Sequence, residues 1–131
     1  MNLLPVTSVY AALFGLLLLV LSVLVIRARV KARIVLGLGE DVLLLRASRA
    51  QGNFLEYAPM ILILLALLEL AGAGAVFLHV LGLAALIGRI SHAAGISREP
   101  ETLVLRQVGM ALTFTVLPVA SLSLLARVAF N

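Results

Sequence analysis

Two arginines, an amide and a carboxylate recur at helical spacing in the run from Arg46 to Pro59: Arg46, Arg49, Asn53 and Glu56. At about 100° per residue they share one face of a helix. A guanidinium fork takes a carboxylate in two parallel hydrogen bonds. The amide of Asn53 both donates and accepts, and Glu56 can receive an ammonium. The segment lies just inside a strongly apolar stretch, where charged groups cost on the order of 2.5–3.5 kcal/mol each at a helix centre by insertion scales. Polar residues can pin spans together with no ligand involved. Four in register, with this mix of donors and acceptors, point rather to a site for an anionic ligand.

A second group lies further along. Arg89 and His92 stand at i, i+3 and face the same side of a helix. Each has a plain structural reading, a snorkelling arginine and a histidine hydrogen-bonded between helices. Arg106 falls about two turns into the last apolar run, too deep for an anchor at the interface, which favours a site. Arg27, Arg29, Lys31 and Arg33 alternate with apolar residues and read mainly as topology signals, with room for one or two to turn inward. Glu69 reads as a helix-end residue touching water, and His79 beside it is a weak signal. Ala84 and Gly88 form a small-xxx-small pair that permits close helix approach. No His, Asp and Glu grouping has metal-ligand spacing, and no glycine loop has a phosphate-binding pattern.

The elements that must position these residues are membrane spans. Of the 131 residues, 63% are apolar and 12% charged, against roughly 25% charged in ordinary soluble domains. The absence of cysteine excludes disulfides, thiolate metal sites and a cysteine nucleophile. A net charge of +4 with the basic residues set between apolar runs gives no nucleic-acid platform. One domain covering residues 1–131 is expected, built from four transmembrane helices over approximately 5–33, 42–70, 75–95 and 100–129. The first basic residue, Arg27, follows the first apolar run, an order that describes a retained span better than a cleaved signal peptide. Asp41 and Glu40 suit a helix cap, Pro59 should kink the second span, and Ala71–Ala75 reads as a tight hairpin. Basic residues cluster around the loops following the first and third spans, and only Arg127 lies at the other side. By the positive-inside rule those loops are cytoplasmic and both termini lie outside.

The pattern Arg-x-x-Arg-Ala-Gln-x-Asn-x-x-Glu-Tyr-x-Pro, from Arg46 to Pro59, resembles that of the MAPEG family, the membrane-associated proteins of eicosanoid and glutathione metabolism. The likeness extends over nearly the whole chain, through the basic first loop and Arg89-x-x-His92 followed by Arg106, and is greatest for the short bacterial branch. It implies an all-α four-helix transmembrane bundle, a homotrimer among membrane lipids, and glutathione as co-substrate bound between subunits on the cytoplasmic side. Carried over by position, it implies that Arg49, Asn53, Glu56 and Tyr57 contact glutathione from the second helix. Gln51 would come from the neighbouring subunit and Arg29, with Arg27 as competitor, from the first loop. Arg89 and His92 would join the site from the third helix, and Arg106 would stabilise the thiolate. Several family enzymes carry a tyrosine where this chain has Ile96, so part of the familiar cradle is missing.

The function implied is a glutathione-dependent transferase or peroxidase-like enzyme of the bacterial inner membrane acting on apolar electrophiles. A non-catalytic lipid- or ligand-binding scaffold of the same fold is the alternative. A cation-coupled exporter ranks well behind both, because the first span has no acid and the strongest polar stripe would repel cations.

Overall fold

The computed structural model describes residues 3–130, and four helices account for most of them: α1 Pro5–Ala32, α2 Val42–Leu70, α3 Ala75–Ile96 and α4 Leu103–Phe130. All four are long and apolar enough to cross a membrane. At 1.5 Å per residue, the 28 residues of α1 reach about 42 Å, beyond a hydrocarbon core of about 30 Å. Its basic last turn, with Arg29 and Lys31, therefore stands at headgroup level. The chain is a multi-pass integral membrane protein.

Helix ends follow local chemistry. Pro5 sits in the first turn of α1, where its missing N–H costs nothing. Arg33 caps the other end in the left-handed region, at φ 56°. Asp41 accepts a hydrogen bond from the Leu44 N–H at 2.7 Å and caps α2 as expected. Gly72, at φ 77°, turns the chain in the expected hairpin between α2 and α3. Helix α2 runs unbroken through Pro59, and α4 through Pro118. One boundary differs from expectation: α4 opens at Leu103, not at Pro100. Thr102 N–H instead bonds back to the Gly95 carbonyl at 3.1 Å, which keeps Glu101 in the loop.

Helices α2 and α3 form the middle of the bundle and touch every other helix, whereas α1 and α4 do not meet. The core holds Phe14 and Leu21 of α1, Phe54, Ile61, Leu65 and Leu68 of α2, Leu78 and Ala85 of α3, and Val116 of α4. Phe14 and Phe54 stack edge to face at 5.7 Å. Outside it, leucines and valines such as Leu16, Leu19, Val80 and Leu122 are exposed along the helices, as lipid contact requires. Helices α3 and α4 approach closest, because Gly88 and Gly109 lie back to back. A Cβ on Gly109 would come within 2.5 Å of the Gly88 carbonyl oxygen and the His92 nitrogen. Small residues give membrane helices this intimacy. It brings α4, with Arg106, hard against α3. The partner of Gly88 is thus a glycine on another helix, a pairing the Ala84/Gly88 spacing alone does not name.

Candidate functional site

Alternation of the four spans gathers the C-terminus of α1, the N-terminus of α2, the C-terminus of α3 and the N-terminus of α4 at one end of the bundle. There the arginine stripe of α2 divides in two. Arg49 and Glu56 turn outward and pair at 3.7 Å with about half of each side chain exposed (56% and 50%). Asn53, between them in sequence, turns inward and is buried. The stripe therefore straddles the edge of the core: its outer members are open, and its inner member is part of the packing.

Arg46 and Arg106 converge on Glu101, which the expected span 100–129 places at the start of the fourth helix. Glu101 Oε2 lies 3.0 Å from Arg106 Nη1 and 3.7 Å from Arg46 Nη1. Arg46 also donates to the Ile96 carbonyl at 3.4 Å. Val42, Leu45, Arg46, Arg49, Ile96, Glu101 and Arg106 line one open cleft of ≈ 240 Å³. Three arginines share it with Glu101, and Glu56 borders it through Arg49. Positive charge is in excess, as binding an anion demands. The aliphatic Ile96 side chain forms part of the wall and supplies no hydroxyl.

Arg89 is deeper, seven residues before the end of α3, or about 10 Å along its axis. It is among the largest fully buried side chains of the protein, at 2% exposure. Its Nη1 donates to Asn53 Oδ1, and its Nη2 donates to Thr113 Oγ1 and, at 3.3 Å, to the Gly109 carbonyl. The guanidinium carbon also stands 5.3 Å from the centre of the Tyr57 ring, a cation–π distance. Tyr57 also meets Phe114 edge to face. No carboxylate pairs with Arg89 among the described residues. His92, one turn on, is also buried against the α3–α4 contact.

Two expected contributors lie elsewhere in the single chain. Arg29 donates to the Gly37 carbonyl at 2.6 Å and closes the first loop. With Arg33 and Ile34 it lines a separate hollow of ≈ 410 Å³. Arg27 and Lys31 line another, of ≈ 490 Å³, with Asp41 and Leu43. The alternating basic residues thus resolve into two i, i+4 pairs on two sides of α1. Gln51 donates to Ser22 Oγ at 2.8 Å and ties α2 to α1. Within one chain the structure joins Arg46, Arg49, Glu56 and Arg106 around the cleft, places Asn53, Tyr57, Arg89 and His92 in the packing behind it, and leaves Arg29 and Gln51 on the α1 side. Glu101 and Thr113 were missed. Glu101 carried a signal, an acid five residues before Arg106, whereas Thr113 carried none.

The family model described as "MAPEG family" matches residues 7–126. The inner membrane protein YecN of Escherichia coli strain K12 is 37% identical over 90 residues, which are 69% of each chain. The YecN of Escherichia coli O6:H1 strain CFT073 matches to the same extent.

Proposed function

The chain belongs to the MAPEG family, and on that premise we propose that it is a glutathione-dependent transferase or peroxidase-like enzyme of a bacterial inner membrane, acting on apolar electrophiles. The observation that carries this reading is the open cleft of Arg46, Arg49 and Arg106 at one end of the bundle, with the half-exposed Glu56 beside it. Glutathione has two carboxylates, an ammonium and a thiol. The arginines suit the carboxylates, Glu56 suits the ammonium, and a cation beside the thiol favours its thiolate, the reactive nucleophile. Arg106 is the candidate for that last role. In this reading an apolar electrophile reaches the site from the lipid, while glutathione reaches it from the aqueous end of the bundle. The inner-membrane assignment follows the named relatives.

A single chain leaves this site half built. Arg49 and Glu56 are exposed on a helix that crosses the membrane, and lipid cannot solvate them. A second and third copy covering that face would remove the cost, close the site, and give Arg29 and Gln51 a route to the ligand of a neighbour. The assembly proposed is a homotrimer with the α2 helices near its axis. Native mass spectrometry from mild detergent should give three chains, and monomers or dimers alone would contradict it.

The orientation proposed puts the basic end in the cytoplasm, where glutathione is supplied, and both termini outside. Because the chain has no cysteine, Val35→Cys and Gly74→Cys each create a unique label; Gly74 has an ordinary backbone conformation and open space around it. An impermeant maleimide on intact cells should modify the Gly74 variant alone; labelling of the Val35 variant instead would invert the topology.

One observation favours the scaffold reading. Arg106 is already engaged by Glu101 at 3.0 Å, and Ile96 gives no phenol to assist it. Isothermal titration of the detergent-purified protein with glutathione, and with a glutathione lacking its α-ammonium, tests the primary reading. Saturable binding of glutathione with weaker binding of the analogue is expected; no heat with either would refute it.

A further inference from the structure

A guanidinium buried in a membrane bundle without a carboxylate beside it needs a reason, since such groups are expensive and are normally paired. Arg89 touches α2 twice, through Asn53 Oδ1 and through the face of Tyr57, four residues apart on one side of that helix. It touches α4 at Thr113 and Gly109. Thr113 is wholly buried and donates its own hydroxyl proton to the Gly109 carbonyl at 2.9 Å. The oxygen lone pairs of Thr113 are therefore turned to Arg89, and the guanidinium is held from the α4 side before it meets α2.

An arginine has only donors. Whatever it binds on Asn53 must be the carbonyl oxygen, so the amide nitrogen points away from Arg89. That nitrogen has no partner among the described residues, nor is it one of the sealed polar atoms without a partner. Along α2 it stands between Arg49, one turn before, and Glu56, three residues after. With a neutral Asn53, moreover, the charge of Arg89 is not cancelled and adds to the field at that point.

We infer that Arg89, clamped by Thr113 and Gly109, is a positioning residue that fixes the Asn53 amide with its nitrogen outward, so that this point of the site accepts an anionic oxygen such as a carboxylate. Arg89 and Thr113 touch no ligand in this arrangement; they act through Asn53. The inference deepens the glutathione reading of the same site, and its structural half, the Arg89–Asn53 contact, stands without it.

Three variants test it, each read by thermal stability and by isothermal titration with glutathione. Thr113→Val keeps the shape and removes the acceptor, and should weaken glutathione about tenfold, as loss of one well-placed charged hydrogen bond does. Thr113→Ser should restore it. In an Asn53→Ala background Thr113→Val should have no further effect on binding; the same tenfold loss there would show that Thr113 does not act through Asn53, and would overturn the inference. Asn53→Asp should give Arg89 its missing counter-ion, holding or raising the melting temperature while abolishing glutathione binding by setting an anion where a donor stood. Glutathione bound by Asn53→Asp as tightly as by the wild type would overturn it. If the wild type binds no glutathione, the ligand reading fails and stability decides the structural half. Asn53→Asp must then be tolerated with Arg89 present and destabilising with Arg89→Met. A loss of equal size in both backgrounds would refute the contact.

Discussion

The two ends of the bundle handle charge in opposite ways. At the end holding the α1 N-terminus, Glu69 accepts the backbone N–H groups of Val6 and Thr7, each at 2.8 Å. Tyr10 hydrogen-bonds His79 at its ring nitrogen and its carbonyl, and its ring fills the space that the missing side chain of Gly82 leaves. Arg127 donates to the Ala71 carbonyl at 3.2 Å. Polar groups there close on backbone and tie one helix to the next. At the other end Arg46 and Arg106 share Glu101, and Arg49 and Glu56 face outward. Arg89 has no acid at all among the described residues. Charge that a chain satisfies within itself is structural; charge left open and in excess is available to something else. Both ends look alike as a list of ionisable residues within spans, and only the partners separate them.

Variants at the two ends should therefore separate binding and turnover from stability. The largest effect is expected for Arg106→Leu. If its guanidinium stabilises the thiolate, turnover with a generic aryl halide or a lipid hydroperoxide should fall about 100-fold, the scale for removing one electrostatic donor from a transition state. Steady-state kinetics on the purified protein checks it, with glutathione binding retained. Next comes Arg49→Ala, which should cost about 1.5–3 kcal/mol of glutathione affinity, as for a hydrogen bond to a charged group, without altering the melting temperature. Glu56→Gln sharpens the same contrast: it should weaken glutathione more than the analogue lacking the ammonium. Equal losses would place Glu56 with the structural charges.

At the opposite end the sign of the contrast reverses. Glu69→Ala removes the acceptor for two helix N–H groups and should destabilise the bundle by about 1–3 kcal/mol, seen in thermal denaturation, with glutathione affinity unchanged. Arg127→Ala should be the mildest, about 1 kcal/mol or less in the same assay, because the Ala71 carbonyl lies at a helix end within reach of water or headgroups. A large loss of glutathione binding in either variant would show that this end, too, serves the ligand.

The four spans were legible in the sequence because each is an apolar run bounded by a charge, a glycine or a proline. Asp41 as a cap and the Gly72 hairpin were legible for the same local reasons. The stripe on α2 could be drawn from spacing, but not its division into open and buried members. A face 80° wide by the helical period looks single until the neighbouring helices show where the core begins. Thr113 was illegible because its role depends on the meeting of α3 and α4 through Gly88 and Gly109, which no periodicity encodes. Position alone makes Glu69 a helix-end residue touching water; what it does not encode is the pair of backbone donors on α1, 62 and 63 residues away in the chain. The alternation from Arg27 to Arg33 suggested inward and outward members. The helix distributes them as two pairs on two sides of α1, and Arg29 binds its own loop.

The open end of the bundle is proposed to bind a thiol and to ionise it. Ultraviolet difference absorbance during a glutathione titration at neutral pH reads both at once, because a thiolate absorbs where a thiol does not. An unassisted thiol resembles a cysteine side chain, with a pKa of about 8.5, and is mostly protonated at pH 7. In the wild type a thiolate band should grow to saturation with bound glutathione, and in Arg106→Leu it should be lost while glutathione remains bound. Saturable binding with no thiolate band in the wild type would contradict the enzyme reading and leave the protein a ligand-binding scaffold of the same fold.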